Sequence, residues 1–149
     1  MKQALTALIT GGSSGIGWAM ARQLAQKGCN VVLVSNQAKE LEACRTLLQQ
    51  EYRVRCETLC IDLSQTDAAQ QVYNYCAALQ LQVNVLVNNA GMLVFSEVAE
   101  CDPVRMRTIL QLHMNTPTQL CNLFGSAMKN NSFGYILNVS SISAVMPYP

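Results

Sequence analysis

Thr10-Gly11-Gly12-Ser13-Ser14-Gly15-Ile16-Gly17 decides how this chain folds. An apolar run, Ala4 to Thr10, precedes it and reads as a buried strand. Behind it, Ile16, Ala19, Met20, Leu24 and Ala25 recur at helical spacing, and Gly28 closes the stretch. A glycine cluster alone is a common loop. Between a buried strand and an amphipathic helix it has the context of a dinucleotide turn. There Gly11 permits the tight turn, Gly15 lets backbone approach a pyrophosphate, and Gly17 lets the helix pack closely on the sheet. The helix N-terminus, including Ile16, then faces negative charge, and Ser13 and Ser14 can add hydroxyl donors.

Outward from this turn, apolar runs alternate with longer amphipathic stretches. Strands are expected at Val31–Val34, Val54–Leu63, Val83–Val87 and Gly134–Ser140. Helices are expected at 15–27, 38–51 and 67–81, with a long one from Asp102-Pro103 to about Lys129, broken near Asn115 to Pro117. Asp102 reads as its N-cap and Pro103 as its first helical residue. Such alternation builds βαβ units with right-handed crossovers, hence helices on both faces of a parallel sheet. The expected class is α/β, a Rossmann-type doubly wound sheet of strand order 3-2-1-4-5, in one domain over 1–149. Its cleft should open at the carboxyl ends of the strands, where the order reverses. Half of the residues are hydrophobic and only 13% are charged, which suits a sheet buried on both faces.

The glycines fall as G-x-x-x-G-x-G, and four further landmarks follow in order. Asp62-Leu63 ends the third strand, Asn88-Asn89-Ala90-Gly91 follows the fourth, Asn115 lies in the long helix, and Asn138-Val139-Ser140-Ser141 ends the fifth. With these the chain resembles the short-chain dehydrogenase/reductase family of ordinary length, over its whole span. The resemblance implies an NAD(P)-dependent oxidoreductase that reduces a carbonyl or oxidises a secondary alcohol. It implies that Asp62 and Leu63 border the adenine, that Asn89, Ala90 and Gly91 meet the cofactor, and that Met92 and Leu93 border the nicotinamide. It also implies that Asn115 bends the helix and supports a proton path, while Ser141 hydrogen-bonds the substrate oxygen. Ser141 is taken over Ser140 because the resemblance implies that the second serine of the pair faces the cofactor, with strand alternation turning Ser140 to the other side.

The family's Tyr-x-x-x-Lys pair, its proton donor and the lysine that tunes it, does not occur here. Tyr148 stands only seven residues beyond Ser141 and reads as a loop residue. The expectation is therefore a C-terminally incomplete domain, with the family's last strands missing, inactive as it stands. The competing reading is a non-catalytic nucleotide-binding fragment or interaction module. An isomerase or dehydratase on the same fold fits the glycine spacing less well.

Cofactor choice turns on Val34-Ser35-Asn36-Gln37 at the end of the second strand. An acid there would bind the ribose diol and favour NAD(H). Ser35 and Asn36 are neutral donors, with Lys39 and Lys2 the nearest cations, so the balance tilts toward NADP(H). His113, the lone histidine, reads as a helix-face or core residue. The seven cysteines form no C-x-x-C and read as reduced thiols, and no metal site is expected. A net charge of +1 without basic runs argues against nucleic acid. No apolar run is long enough for a membrane span, and no leader is evident at Met1–Ala7. A cytoplasmic enzyme acting on a small carbonyl or alcohol, homo-oligomeric when full-length, is the expectation.

Overall fold

The computed structural model describes residues 4–146. Five strands and five helices alternate: β1 (Thr6–Thr10), α1 (Gly15–Gln26), β2 (Asn30–Ser35), α2 (Ala38–Tyr52), β3 (Cys56–Cys60), α3 (Ala68–Ala78), β4 (Val83–Asn88), α4 (Pro103–Leu110), α5 (Thr116–Asn130) and β5 (Tyr135–Asn138). A π-helical turn, Gln111–Asn115, joins α4 to α5. The strands form one sheet of order β3-β2-β1-β4-β5, and each neighbouring pair is parallel. This is the doubly wound sheet expected from the sequence.

Alternation across the pleat divides the core in two. Leu8, Val32, Val34 and Leu86 face Val72, Leu120 and Phe124 of α3 and α5. Ala7, Ile9, Val31 and Leu33 face Ala21, Ala25, Leu41 and Leu48 of α1 and α2. β1 is therefore buried along its whole length, which is why its sequence shows no polar alternation. Each fully buried Leu or Ile contributes roughly 1.5–3 kcal/mol of transfer free energy. Asp102 caps α4 by accepting the Val104 N–H at 3.1 Å, with Pro103 in the first turn. Among the described residues β5 pairs only with β4, and its Tyr135, Ile136 and Leu137 are exposed at the sheet edge.

Three strands are shorter than expected. β1 begins at Thr6 rather than Ala4. β3 stops at Cys60, so Asp62 and Leu63 lie in the turn beyond it. β5 stops at Asn138, so Ser140 and Ser141 both lie past its end. Strand alternation consequently does not carry to these serines, and it gives no ground for separating Ser141 from Ser140.

Candidate active site

The sheet order reverses between β1 and β4, and a cleft of about 560 Å³ opens there. It is lined by Gly11, Ser13, Ser14, Gly15, Ile16, Ser35, Asn36, Asp62, Leu63, Asn89, Ala90 and Gly91, which are the expected nucleotide residues except Gly17. Gly17 instead packs underneath. A Cβ there would run into the carbonyl of Gly11 and the amide of Asn89. Gly15 is the opposite case. Its φ is +53° and a Cβ would meet nothing within 4 Å, because that side is open. The first turn of α1 has no side-chain cap at Ser14 and no acidic residue. Its N–H groups thus stay available to an anion.

The two halves of the cleft are tied together by Thr10. Its buried hydroxyl accepts the N–H groups of Asn89 and Ala90 at 2.9 and 3.0 Å and donates to Val87 O at 3.3 Å. The Asn89 amide donates to the carbonyls of Thr10 and Gly11 at 3.0 and 3.3 Å. Asn89 therefore braces the glycine turn, while Ala90 and Gly91 form the wall. Thr10 opens the glycine stretch, but the glycine spacing alone gives it no role in the site. A hydroxyl at the end of an otherwise apolar buried strand is the signal for it.

At the β2 end, Ser13 Oγ and Ser35 Oγ lie 2.8 Å apart and both residues are buried. Ser13 also donates to Gln37 Oε1 at 2.9 Å, and the Gln37 N–H donates to Ser35 Oγ at 3.3 Å. The hydroxyls of Ser13 and Ser35 thus hold the β2 turn against the glycine turn, leaving Asn36 and Gln37 as the polar lining. Among the described residues, Asp62 is the only charged one in the lining. Its Oδ1 accepts the N–H and the hydroxyl of Ser64 at 2.9 and 2.8 Å. The Ser64 N–H, then its hydroxyl, hold the Asp62 carboxyl below its ordinary range.

A second cavity of about 470 Å³ adjoins the first, sharing Leu63, Ala90 and Leu112. Its lining includes His113, Asn88, Cys121 and Asn138. Asn88 Nδ2 donates to Asn138 Oδ1 at 2.8 Å, joining the ends of β4 and β5. The helical stretch changes from α to π near the expected place, and Asn115 is the last residue of the π-turn. Asn115, however, lines neither cavity. It is exposed, and its amide donates to Gln111 Oε1 at 3.1 Å. The side chain that crosses to the β4 loop is His113, whose Nε2 lies 3.0 Å from Met92 N and 3.1 Å from Met92 O. Ser141 is exposed and caps a short 3-10 turn, accepting the Ser143 N–H at 3.1 Å and lying 3.2 Å from Ser143 Oγ. It too lines neither cavity. Tyr148 and Lys2 lie outside the described residues. Among the described residues no group of His, Cys, Asp and Glu could hold a metal, and no helix is long and apolar enough to cross a membrane.

The family profile described as short chain dehydrogenase matches residues 5–149. The chain belongs to the short-chain dehydrogenase family. Among curated relatives, the very-long-chain 3-oxoacyl-CoA reductase of Mus musculus is 30% identical over 148 residues, 96% of this chain and 46% of its own. Among solved structures, L-sorbose reductase from Gluconobacter frateurii, complexed with NADPH and L-sorbose, superposes with a TM-score of 0.92. It is 27% identical and covers 98% of this chain and 56% of its own. A metagenomic short-chain oxidoreductase in complex with NADP gives 0.90 at 30% identity, over 97% of this chain and 65% of its own. The chain spans about half the length of the curated relatives it matches.

Proposed function

We propose that residues 1–149 form a single NAD(P)-binding domain, the N-terminal portion of an oxidoreductase that interconverts a carbonyl and a secondary alcohol. One observation carries the reading: the cleft at the sheet reversal gathers the glycine turn, the β2 end, Asp62-Leu63 and Asn89-Ala90-Gly91 around an uncapped helix N-terminus. That cradle fits a dinucleotide, since the open side of Gly15 leaves room for a pyrophosphate beside the first-turn N–H groups. The bound nucleotide would supply hydride chemistry. This chain's residues hold and orient it: α1 and the glycine turn receive the phosphates, Asn36 and Gln37 border the adenosine end, and Ala90 to Met92 form the opposite wall.

NADP(H) is favoured over NAD(H). No acid stands at Ser35-Asn36-Gln37 to repel an extra phosphate, and the sorbose reductase and metagenomic relatives are complexed with NADPH and NADP. The substrate class proposed is a small carbonyl or alcohol, with the full-length form a cytoplasmic homo-oligomer. Ser141 and Asn115 remain the proposed substrate-oxygen and helix-bend residues, and neither is a general acid. No Tyr-x-x-x-Lys occurs among the 149 residues, so these residues alone should not sustain turnover. A positioned acid typically contributes on the order of 10²–10⁴-fold.

The test compares NADPH oxidation over a panel of ketones by this chain and by a version extended to include a Tyr-x-x-x-Lys segment. Turnover should appear only in the extended protein and fall strongly there on Ser141→Ala. Substantial turnover by the 149 residues would overturn the reading of an incomplete catalytic centre.

A further inference from the structure

His113 is joined to the cleft wall through a single atom, and that restricts its chemistry. Nε2 faces one donor, Met92 N–H at 3.0 Å, and one acceptor, Met92 O at 3.1 Å. A ring nitrogen accepts or donates but cannot do both at once. With the proton on Nδ1, Nε2 accepts the Met92 N–H. With a proton on Nε2, as in the imidazolium, it turns to Met92 O and the N–H loses its partner. His113 is exposed, so solvent can take whichever Met92 group the ring leaves. The ring protonated at Nδ1 is the form that receives the Met92 N–H and so ties the loop's backbone donor to the helix.

Gly91 adds a second contact. A Cβ there would lie 3.1 Å from His113 Cε1, so the ring sits directly against the Gly91 backbone. Gly91 and Met92 both line the nucleotide cleft, while His113 lines the adjoining cavity. The ring thus stands between the two cavities, and its only polar partner among the described residues is Met92. We propose that His113 is a positioning residue that fixes the Gly91–Met92 wall of the cleft through its Nδ1-protonated tautomer, and that losing this contact loosens the wall and weakens nucleotide binding. This rests on the cleft being the nucleotide site. Cys121 on α5 lines His113's own cavity and Asp62 lines the cleft beside Met92. Arg105 and Arg107 share its helical stretch, and Glu97 and Glu100 lie further along the β4 loop.

The experiment uses the whole chain as wild type, His113→Gln and His113→Ala, in calorimetric titrations with NADPH. A glutamine amide reaches as far as Nε2 and carries a separate donor and acceptor, so His113→Gln can meet both groups of Met92 and should bind like wild type. His113→Ala should bind roughly 2- to 10-fold more weakly, the worth of one hydrogen bond. Wild-type affinity in His113→Ala, or equal losses in His113→Ala and His113→Gln, would overturn the proposal. A nitrogen-15 spectrum of the ring without nucleotide is an independent test: Nδ1–H with a Met92 amide that shifts in His113→Ala supports it, and Nε2–H in the neutral ring contradicts it. If no protein binds NADPH, the cleft assignment fails, while the spectrum still decides the anchoring.

Discussion

Gly15 and Gly17 stand two residues apart and should fail in different ways when a methyl is added. At Gly15, with φ +53°, the Cβ enters open space, so the fold suffers only the left-handed backbone of an L-residue. That costs about 1–2 kcal/mol, partly offset by a less flexible unfolded chain. For a chain of this length each kcal/mol lowers Tm by about 2–4 °C. The same methyl lies where a pyrophosphate would approach the first turn of α1. Losing one charge-assisted hydrogen bond of about 1.5–3 kcal/mol weakens binding roughly 10- to 100-fold. Gly17→Ala has no such freedom. Its Cβ runs into the Gly11 carbonyl, so α1 must move off the glycine turn, an overpacking cost of about 1–3 kcal/mol, and binding weakens with it. Thermal unfolding and NADPH calorimetry on both variants give the split. Gly15→Ala should lose far more affinity than stability, and Gly17→Ala should lose both. Wild-type affinity in Gly15→Ala would refute the phosphate site, and an unchanged Tm in Gly17→Ala would refute the packing role.

Thr10→Val keeps the shape but strands the Asn89 and Ala90 N–H groups, so denaturant unfolding should show a loss of about 1–3 kcal/mol; no loss would remove Thr10 as the brace. Burial pushes the Cys56 and Cys76 thiols up to about 12, whereas Cys60 is exposed. A disulfide-exchange reagent at neutral pH should label Cys60 at once and those two only on unfolding. Asp62 is depressed by Ser64, so its contribution to stability is full above the ordinary carboxyl range near 3.9 and disappears as pH falls through its lower folded value. Acid unfolding of Asp62→Asn should lack that small, solvent-screened component. An acid limb identical to wild type would mean the Ser64 contacts do not form in solution.

The glycine turn and Asn88-Asn89-Ala90-Gly91 are legible in the sequence because each lies directly at the end of a buried strand, where local sequence fixes both the turn and its surroundings. Leu8, Ile9, Val32 and Leu33 are legible as core for the same reason. The helical side of the site is not. An α-helix of 3.6 residues per turn predicts which face Asn115 presents, but Gln111–Asn115 forms a π-turn. The wider turn shifts every later side chain around the axis, and His113 rather than Asn115 reaches the β4 loop. Gln111 supports that turn, accepting from Asn115 and donating to Thr116 Oγ1, which is bonded to Leu63 O at 2.8 Å. The Thr116–Leu63 contact joins residues far apart in sequence and leaves no local pattern. The serines after β5 differ from expectation for a simpler reason, since the strand ends before they begin.

The central claim is that a dinucleotide lies across the sheet reversal with its phosphates on the first turn of α1. Backbone amide NMR of the whole chain titrated with NADPH tests it most directly. The amides of Gly15, Ile16 and Gly17 should move most, with smaller shifts at Asn36, Asp62 and Gly91. A titration that leaves the first turn of α1 unmoved at saturation, or moves a surface away from this cleft, would contradict the account.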